Sequence, residues 1–347
     1  MQDIVPNICS GKDRISNSGE VALYGSTGVI GRTNSASYKE NIVLVARVGA
    51  NAGQMQIGNA PCGVTDNTLV IDAKEWNYYI YYFLQHYNLN RLVFGSGQPL
   101  ITGGMLKRIK VRYGCKAERN NITRLLCLID ERIATQNKII EKYESLIQAI
   151  SQKVLRPSEY WNEYRLCELA DIRSGYSGNQ VSHKTAYAVS RIETISKHRI
   201  DMLRVGYVQD IPSEYKLNVG DILFSNINSI QYIGNTAFVD KEYNLYHGMN
   251  LLRIIPKPSL VIPRFLHLIL CTSMAIKHFQ SICNKAVSQA SINQTSLGKI
   301  MLHIPPLTCQ EQICNVFESV EQRLNLEVYY LKRIQLQKNY LLRQMFI

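Results

Sequence analysis

Two runs of heptad spacing constrain this chain more than any other feature. Ile122, Leu126, Ile129, Ile133, Gln136, Ile140, Tyr143, Ile147, Ile150 and Val154 alternate steps of four and three. Such spacing gathers side chains on one stripe of a helix, and two such stripes bury each other in a coiled coil. No Gly or Pro interrupts residues 122–155, and Pro157 follows them. The spacing therefore predicts one helix, roughly 50 Å long at 1.5 Å per residue. Ile313, Phe317, Val320, Leu324, Glu327, Leu331, Ile334, Lys338, Leu341 and Met345 repeat the pattern 191 positions later. The polar break recurs at the same place, Gln136 against Glu327, and Arg132 matches Arg323. Ile129, Ile133, Gln136 and Ile140 form the middle of one seam, and Val320, Leu324, Glu327 and Leu331 that of the other.

Heptad helices can always be aligned in some register, so a second match carries more weight. The same offset aligns residues 97–109 (GQPLITGGMLKRI) with 288–300 (SQASINQTSLGKI) without a gap. Gln98, Ile101, Leu106 and Ile109 fall on Gln289, Ile292, Leu297 and Ile300. This is an internal repeat. Upstream of each helix, residues 41–48, 64–71, 220–224 and 248–255 read as strands, and 77–90 and 262–284 as helices. The expected division is a globule at 1–115, a helix at 116–156, a globule at 157–307 and a helix at 308–347. The class is α+β: two mixed α/β globules with a pair of long helices. Antiparallel packing would bury the two seams against each other and give a pseudo-twofold object with a globule at each end. Positions equivalent under a twofold meet only near its axis, so Gln136 and Glu327 need not touch.

With 347 residues, 46% hydrophobic and 19% charged, the composition is that of a globular chain of two or more domains. No run reaches the ~18 apolar residues of a membrane span. Asp3, Lys12, Asp13 and Arg14 occupy the place of a signal peptide's apolar stretch. A soluble, cytoplasmic protein is expected. The nine cysteines are scattered and form no C-x-x-C, which fits free thiols in a reducing compartment and gives no metal site. The net charge is +12. Both halves share it, with 19 Lys and Arg against 12 Asp and Glu up to residue 156, then 20 against 15. An anionic partner, nucleic acid above all, or a merely basic soluble protein would account for it.

Catalytic motifs are missing. There is no G-x-x-x-x-G-K-[ST], H-E-x-x-H, G-x-S-x-G or Asn-Pro-Pro-aromatic sequence, and the seven histidines are dispersed. Gly25, Gly28 and Gly31 suggest a turn-rich loop that either only turns the chain or approaches a phosphate backbone. Residues 107–119 hold six cations and one anion, a solvated face or a phosphate-contacting rim. Gln98, Thr102, Gln289, Ser291 and Asn293 form two polar loops ahead of the long helices. They either cap and shape turns or bond to DNA. Arg47, Asn51 and Gln54 follow one strand, and Asn226, Asn228 and Gln231 another. Arg, Asn and Gln are the side chains that read guanine and adenine edges bidentately. Lys12, Ser26, Thr27, Arg32, Lys107, Arg108, Asn179 and Lys285 complete the candidate DNA contacts. The tyrosines on 77–90 are expected in the core or an interface.

With these residues in view, the chain resembles the specificity subunit of type I restriction–modification systems over essentially its whole length. The carriers are Ser96-Gly97-Gln98-x-x-Ile101, Ser288-Gln289-x-x-Ile292-Asn293, Leu106-x-x-Ile109 and Leu297-x-x-Ile300. His303-Ile304-Pro305-Pro306-Leu307 with Gln310-Glu311-Gln312-Ile313 and the terminal helix add to them. The first half departs from the family pattern at Arg112-Tyr113-Gly114-Cys115. It also has little of the opening strand that residues 161–172 supply in the second half, so a shortened first domain or a truncated chain is expected. The resemblance implies two target-recognition domains reading a bipartite duplex, one half-site each. It also implies that the protein is no enzyme by itself and binds no cofactor. Modification subunits would bring S-adenosylmethionine and adenine methyl transfer, and restriction subunits ATP- and Mg-dependent translocation and cleavage. The helix, spanning about 15 base pairs, would act as a ruler. The alternative is a cytoplasmic coiled-coil scaffold with two ligand-binding globules and no DNA.

Overall fold

The computed structural model describes residues 1–93, 99–285 and 289–346. The chain forms two compact units, residues 1–139 with 327–347, and residues 140–326. Each unit thus takes in part of both long helices.

In the first unit, β1 (Ile8–Ser10), β2 (Val21–Gly25), β3 (Gly28–Thr33), β4 (Ile42–Ala46), β5 (Met55–Gly58), β6 (Cys62–Val64) and β7 (Thr68–Ile71) precede α1 (Asn77–Tyr87) and α2 (Gly103–Lys107). The main sheet has the order β1-β7-β4-β5, antiparallel throughout. A smaller sheet, β3-β2-β6, pairs β2 with β6 in parallel. β4 reads IVLVA and is buried on both faces. Side chains alternate along a strand, so Val43, Val45, Leu69 and Ile71 meet Tyr79, Ile80, Phe83 and Leu84 of α1. Ile42, Leu44 and Val70 turn the other way, onto Tyr24, Cys62 and Val64. The helix α3 (Lys116–Val154) follows.

The second unit opens with β8 (Asn162–Arg165), α4 (Leu166–Leu169) and β9 (Ala170–Ser174), then β10 (Gln180–Val181), β11 (Tyr187–Val189), β12 (Ile195–Ser196), β13 (Arg199–Ile200) and β14 (Gly206–Val208). β15 (Ile222–Phe224), β16 (Ile227–Asn228), β17 (Thr236–Phe238), β18 (Leu245–Tyr246) and β19 (Leu252–Pro256) come next. They are followed by α5 (Pro263–Leu270), α6 (Ser273–Ile282), β20 (Asn284–Lys285), β21 (Ala290–Ser291), α7 (Gln294–Gly298), β22 (Met301–Ile304) and α8 (Leu307–Met345). The main sheet is β9-β19-β15-β17, again antiparallel. Strand for strand it is the first unit's sheet. The second sheet, β10-β14-β11-β18, likewise ends in a parallel pair. Ile222, Phe224, Leu252 and Ile254 face Phe265, Leu266 and Phe279. Leu223 and Leu251 face Ala188, Val239 and Leu245.

All twenty seam positions read from the sequence are buried or half-buried. Within the first unit α3 and α8 run antiparallel. Lys338 Nζ reaches Asp130 at 2.6 Å, and Gln136 Nε2 donates to Glu327 Oε2 at 2.5 Å and to the Glu327 carbonyl at 3.1 Å. The two polar seam positions therefore do meet, and each supplies the other's hydrogen bond. Burying them together avoids the cost of burying either alone.

The first long helix starts at Lys116, where the expected division begins it, although its apolar spacing starts only at Ile122, because the first turns carry polar residues. Other element boundaries need correction. Residues 64–71 are not one strand: Thr68 N bonds back to Thr65 O, and this turn separates β6 from β7. The expected helix 262–284 is two helices. It breaks at Cys271–Thr272, where Thr272 Oγ1 accepts from Ala275 N and caps α6. The expected helix 77–90 ends at Tyr87, since Asn88 adopts a left-handed conformation. The glycine series at 25–31 is a β-hairpin between β2 and β3 rather than a loop.

Candidate nucleic-acid interface

The polar loops ahead of the long helices are built alike. Thr102 Oγ1 accepts from Met105 N and caps α2, and Asn293 Oδ1 accepts from Ser296 N and caps α7. Both are helix N-caps, and they are repeat-equivalent. One residue earlier, Ile101 N donates to the Arg47 carbonyl and Ile292 N to the Asn226 carbonyl, each at 2.9 Å. Ile101 and Ile292 are themselves buried anchors. Arg47 and Asn226 thus occupy one position in the two units, directly beyond β4 and β15. The next pair agrees: Val48 bridges Leu100 as Ile227 bridges Ser291.

Each strand then turns on a glycine. Gly53 N donates to Ala46 O and Gly234 N to Ser225 O, both at 2.9 Å. Their φ values are +89° and +82°, a region that disfavours a Cβ. A Cβ would also strike Ile101 in one unit and Phe279 in the other. Gln54 O accepts from Ala46 N as Asn235 O accepts from Ser225 N. The counterpart of Gln54 is therefore Asn235, a residue outside the candidates that the sequence offers. Gln231 lies earlier in that turn, exposed.

In the first unit the Asn67 carbonyl accepts from both Ser26 Oγ and Arg47 N. This joins the β2–β3 hairpin tip to the loop beyond β4, and Thr27 is exposed at the tip. Gln56 Nε2 fastens the tip further through Gly25 O at 2.7 Å. Lys12 is exposed beside Gly11, which donates to Thr68 O. Arg47 Nη1 is held by Ser10 Oγ at 3.2 Å, and Gln54 Nε2 by Asn51 Oδ1 at 3.0 Å. Lys12, Ser26, Thr27, Arg47, Asn51, Gln54 and Thr102 are thus gathered around one connected set of loops. Arg32 is not: it sits four residues down β3 and its Nη1 is spent on Glu20 O. Lys107 and Arg108 lie at the far end of α2, where the Lys107 carbonyl accepts from Gln2 N. Of the basic run 107–119, Arg119 is buried, stacked 3.4 Å over the Trp76 ring. Gln98 falls outside the described residues.

In the second unit, β16, β21 and β20 form a small ribbon carrying Asn228, Ser291 and Lys285, with Asn226 and Asn293 at its ends. Gln289 is exposed just before β21. Asn228 is occupied on both sides, its Nδ2 by Ser225 Oγ and its Oδ1 by Ser229 N. The Asn226 side-chain oxygen is buried without a protein partner. Asn179 lies apart, before β10 of the other sheet.

The two units differ at their openings. Leu166 N donates to Ile300 O, and the Met1 ammonium takes that place on the equivalent Ile109 O. β22 pairs with β8, whereas residues 110–113 have no strand partner among the described residues.

The chain matches the family described as Type I restriction modification DNA specificity domain over residues 8–145 and 158–335. It is 38% identical over 184 residues to a putative type I restriction enzyme MjaX specificity subunit of Methanocaldococcus jannaschii, covering 50% of this chain and 43% of that protein. The match thus spans under half the length of that relative. A putative type I restriction enzyme specificity subunit S.HindORF215P of Haemophilus influenzae is 21% identical over 90% of this chain and 83% of its own. The fold resembles the crystal structure of a type I restriction–modification system S subunit from M. genitalium. Its TM-score is 0.67 at 15% identity, over 98% of this chain and 93% of that one. A structure describing complex assembly and conformational transition of the type I R-M system matches with TM-score 0.60 at 14% identity, over 98% and 95%.

Proposed function

Because this chain belongs to the type I restriction–modification DNA specificity family, we propose that it recognises a bipartite duplex DNA sequence, one half-site per unit. The observation that carries the reading is the equivalence of Arg47 and Asn226. An Arg and an Asn, two side-chain types able to read base edges, stand at one structural position, fixed by the same main-chain bond from Ile101 or Ile292. A shared frame with unlike side chains is what two different half-sites require. The net charge of +12 supports phosphate contact.

In this proposal the chain is not an enzyme by itself and binds no cofactor. Modification subunits with S-adenosylmethionine, and restriction subunits with ATP and Mg, dock on the long helices. Tyr329, Tyr330, Leu336 and Tyr340 are exposed on α8 and support that docking. No helix among the described residues is long and apolar enough to cross a membrane, and we place the protein in the cytoplasm with its DNA.

The test exchanges residues 158–300 for the second domain of another family member and sequences the methylome of cells carrying the partner subunits. One half of the methylated motif should change and the other should stay. Change in both halves would overturn the division. Binding to the cognate duplex should also weaken by roughly 10³-fold or more between 50 and 200 mM salt if six or more phosphates are contacted. Salt-independent binding would overturn the phosphate contacts.

A further inference from the structure

The second unit contains a cluster that DNA reading does not use. His267 and Cys271 are four residues apart at the end of α5, so their side chains share a face. His198 enters from the turn between β12 and β13, in a left-handed conformation at φ +61°. Cys271 Sγ lies 3.3 Å from His198 Nδ1 and 3.4 Å from His267 Nε2. A tetrahedral zinc site, with bonds of about 2.3 Å to sulfur and about 2.0 Å to nitrogen, has an S···N edge of about 3.5 Å. Among the described residues this is the one group of three His, Cys, Asp or Glu donors close enough to hold a metal, all within 4.8 Å of one another.

We propose that His198, His267 and Cys271 bind one zinc ion, with a fourth position open to water on the solvent side of His198. The donor set, one thiolate and two imidazoles, suits a borderline-soft divalent cation rather than calcium or magnesium. His267 is buried and His198 exposed, so the ion has an anchored ligand and an entry path. Thr236 Oγ1, 3.2 Å from Sγ, is placed to donate to the thiolate, the outer-shell contact such ligands ordinarily have. The ligating form of cysteine is the thiolate, so zinc binding expels the Cys271 thiol proton.

Arg264 decides the strength of the site. Its Nη1 is 3.0 Å from His267 Nδ1. A guanidinium only donates, so without metal Nδ1 accepts and the ring proton sits on Nε2. A neutral ring that ligates through Nε2 must move that proton to Nδ1, and Arg264 must withdraw. It can do so without losing its charge partner, because Glu321 holds Nη2 with both oxygens at 2.5 and 2.6 Å. The ion would pin the β12–β13 hairpin to α5. Arg199 Nη1 already ties that hairpin to Asn325 of α8 at 2.9 Å.

The test titrates the full, metal-stripped chain with Co²⁺. Binding should saturate at one equivalent, with near-ultraviolet thiolate-to-cobalt charge transfer and visible bands of tetrahedral cobalt. Zn²⁺ should abolish both. Cys271→Ser and His198→Asn should each weaken Co²⁺ binding at least 100-fold, and Cys167→Ser, at an exposed thiol, should not. His198→Asn serves where Cys271→Ser fails to fold, since Asn tolerates the left-handed turn. No absorption band in a chain with native Trp161 fluorescence would overturn the proposal. So would a band that survives His198→Asn.

Discussion

The two units share a frame and differ in what hangs from it. Both have the same four-strand antiparallel order, a second sheet closed by a parallel pair, and a short capped helix before a long one. The first unit packs its sheet under one helix, α1, and keeps both polar seam residues, Gln136 and Glu327. The second breaks the corresponding helix into α5 and α6. It also buries His247 and His267 and widens the Val48–Leu100 bridge into the ribbon of β16, β21 and β20. The frame is held by apolar side chains and main-chain bonds, which tolerate many sequences. The loops beyond β4 and β15 are held by specific polar contacts, and there the units diverge. The proposed reading of two unlike half-sites would need that separation between frame and loops.

The largest expected difference between the units is in acid. Burial lowers His247 from its ordinary 6.5 to about 4, while its Nε2 donates to the Leu251 carbonyl. Between those values the folded unit binds fewer protons than the unfolded chain. Its stability is therefore full above about pH 6.5 and is lost as pH falls toward 4. The shift corresponds to about 3 kcal/mol, and His267 acts in the same direction. Each unit has one tryptophan, Trp76 or Trp161. Urea unfolding of single-tryptophan variants should therefore show the Trp161 midpoint falling between pH 7 and 4.5 well before that of Trp76. Midpoints that move together would show that the units unfold as one.

A smaller effect is expected at the seam. Gln136→Leu leaves the Glu327 carboxylate buried without its amide donor and should cost about 1–3 kcal/mol. The double replacement with Leu should recover this and raise Tm. It should also loosen the helical register, so that the accepted spacer between half-sites changes. Thermal melts of the singles and the double check the first part, and methylome sequencing the second. Lower stability in the double would break the assignment of these residues to the seam.

The smallest effect compares the caps. Thr102→Ala and Asn293→Ala should each cost about 1 kcal/mol. Each loss should be confined to its own unit by the same two fluorescence reporters. A loss seen by both would mean that the units share one cooperative transition.

Much of the frame was legible because burial imposes periodicity. The offset of 191 aligned both caps, both anchors at Ile101 and Ile292, and the two polar seam positions, but not the contact between Gln136 and Glu327. The site was legible only in part. Arg47 and Asn226 are legible as candidates because both follow an apolar strand, but Asn235 and the Asn67 carbonyl are not. Main-chain acceptors carry no sequence signature, and the turns from Ala46 to Gly53 and from Ser225 to Gly234 differ in length. The His198–His267–Cys271 cluster was missed for a related reason. Its i, i+4 pair sits inside an apolar run, and its third member lies 69 residues earlier in the chain.

The sequence by itself determined the repeat, the two long helices, their seams and the basic charge, because each follows from spacing or counting along one chain. Only the tertiary structure decided that Arg47 and Asn226 stand at one position, that Arg32 is spent on its own hairpin, and that His198 meets Cys271. These depend on hydrogen bonds and side-chain approaches between distant segments. Such contacts are fixed by how strands register across a sheet, and no local pattern records them.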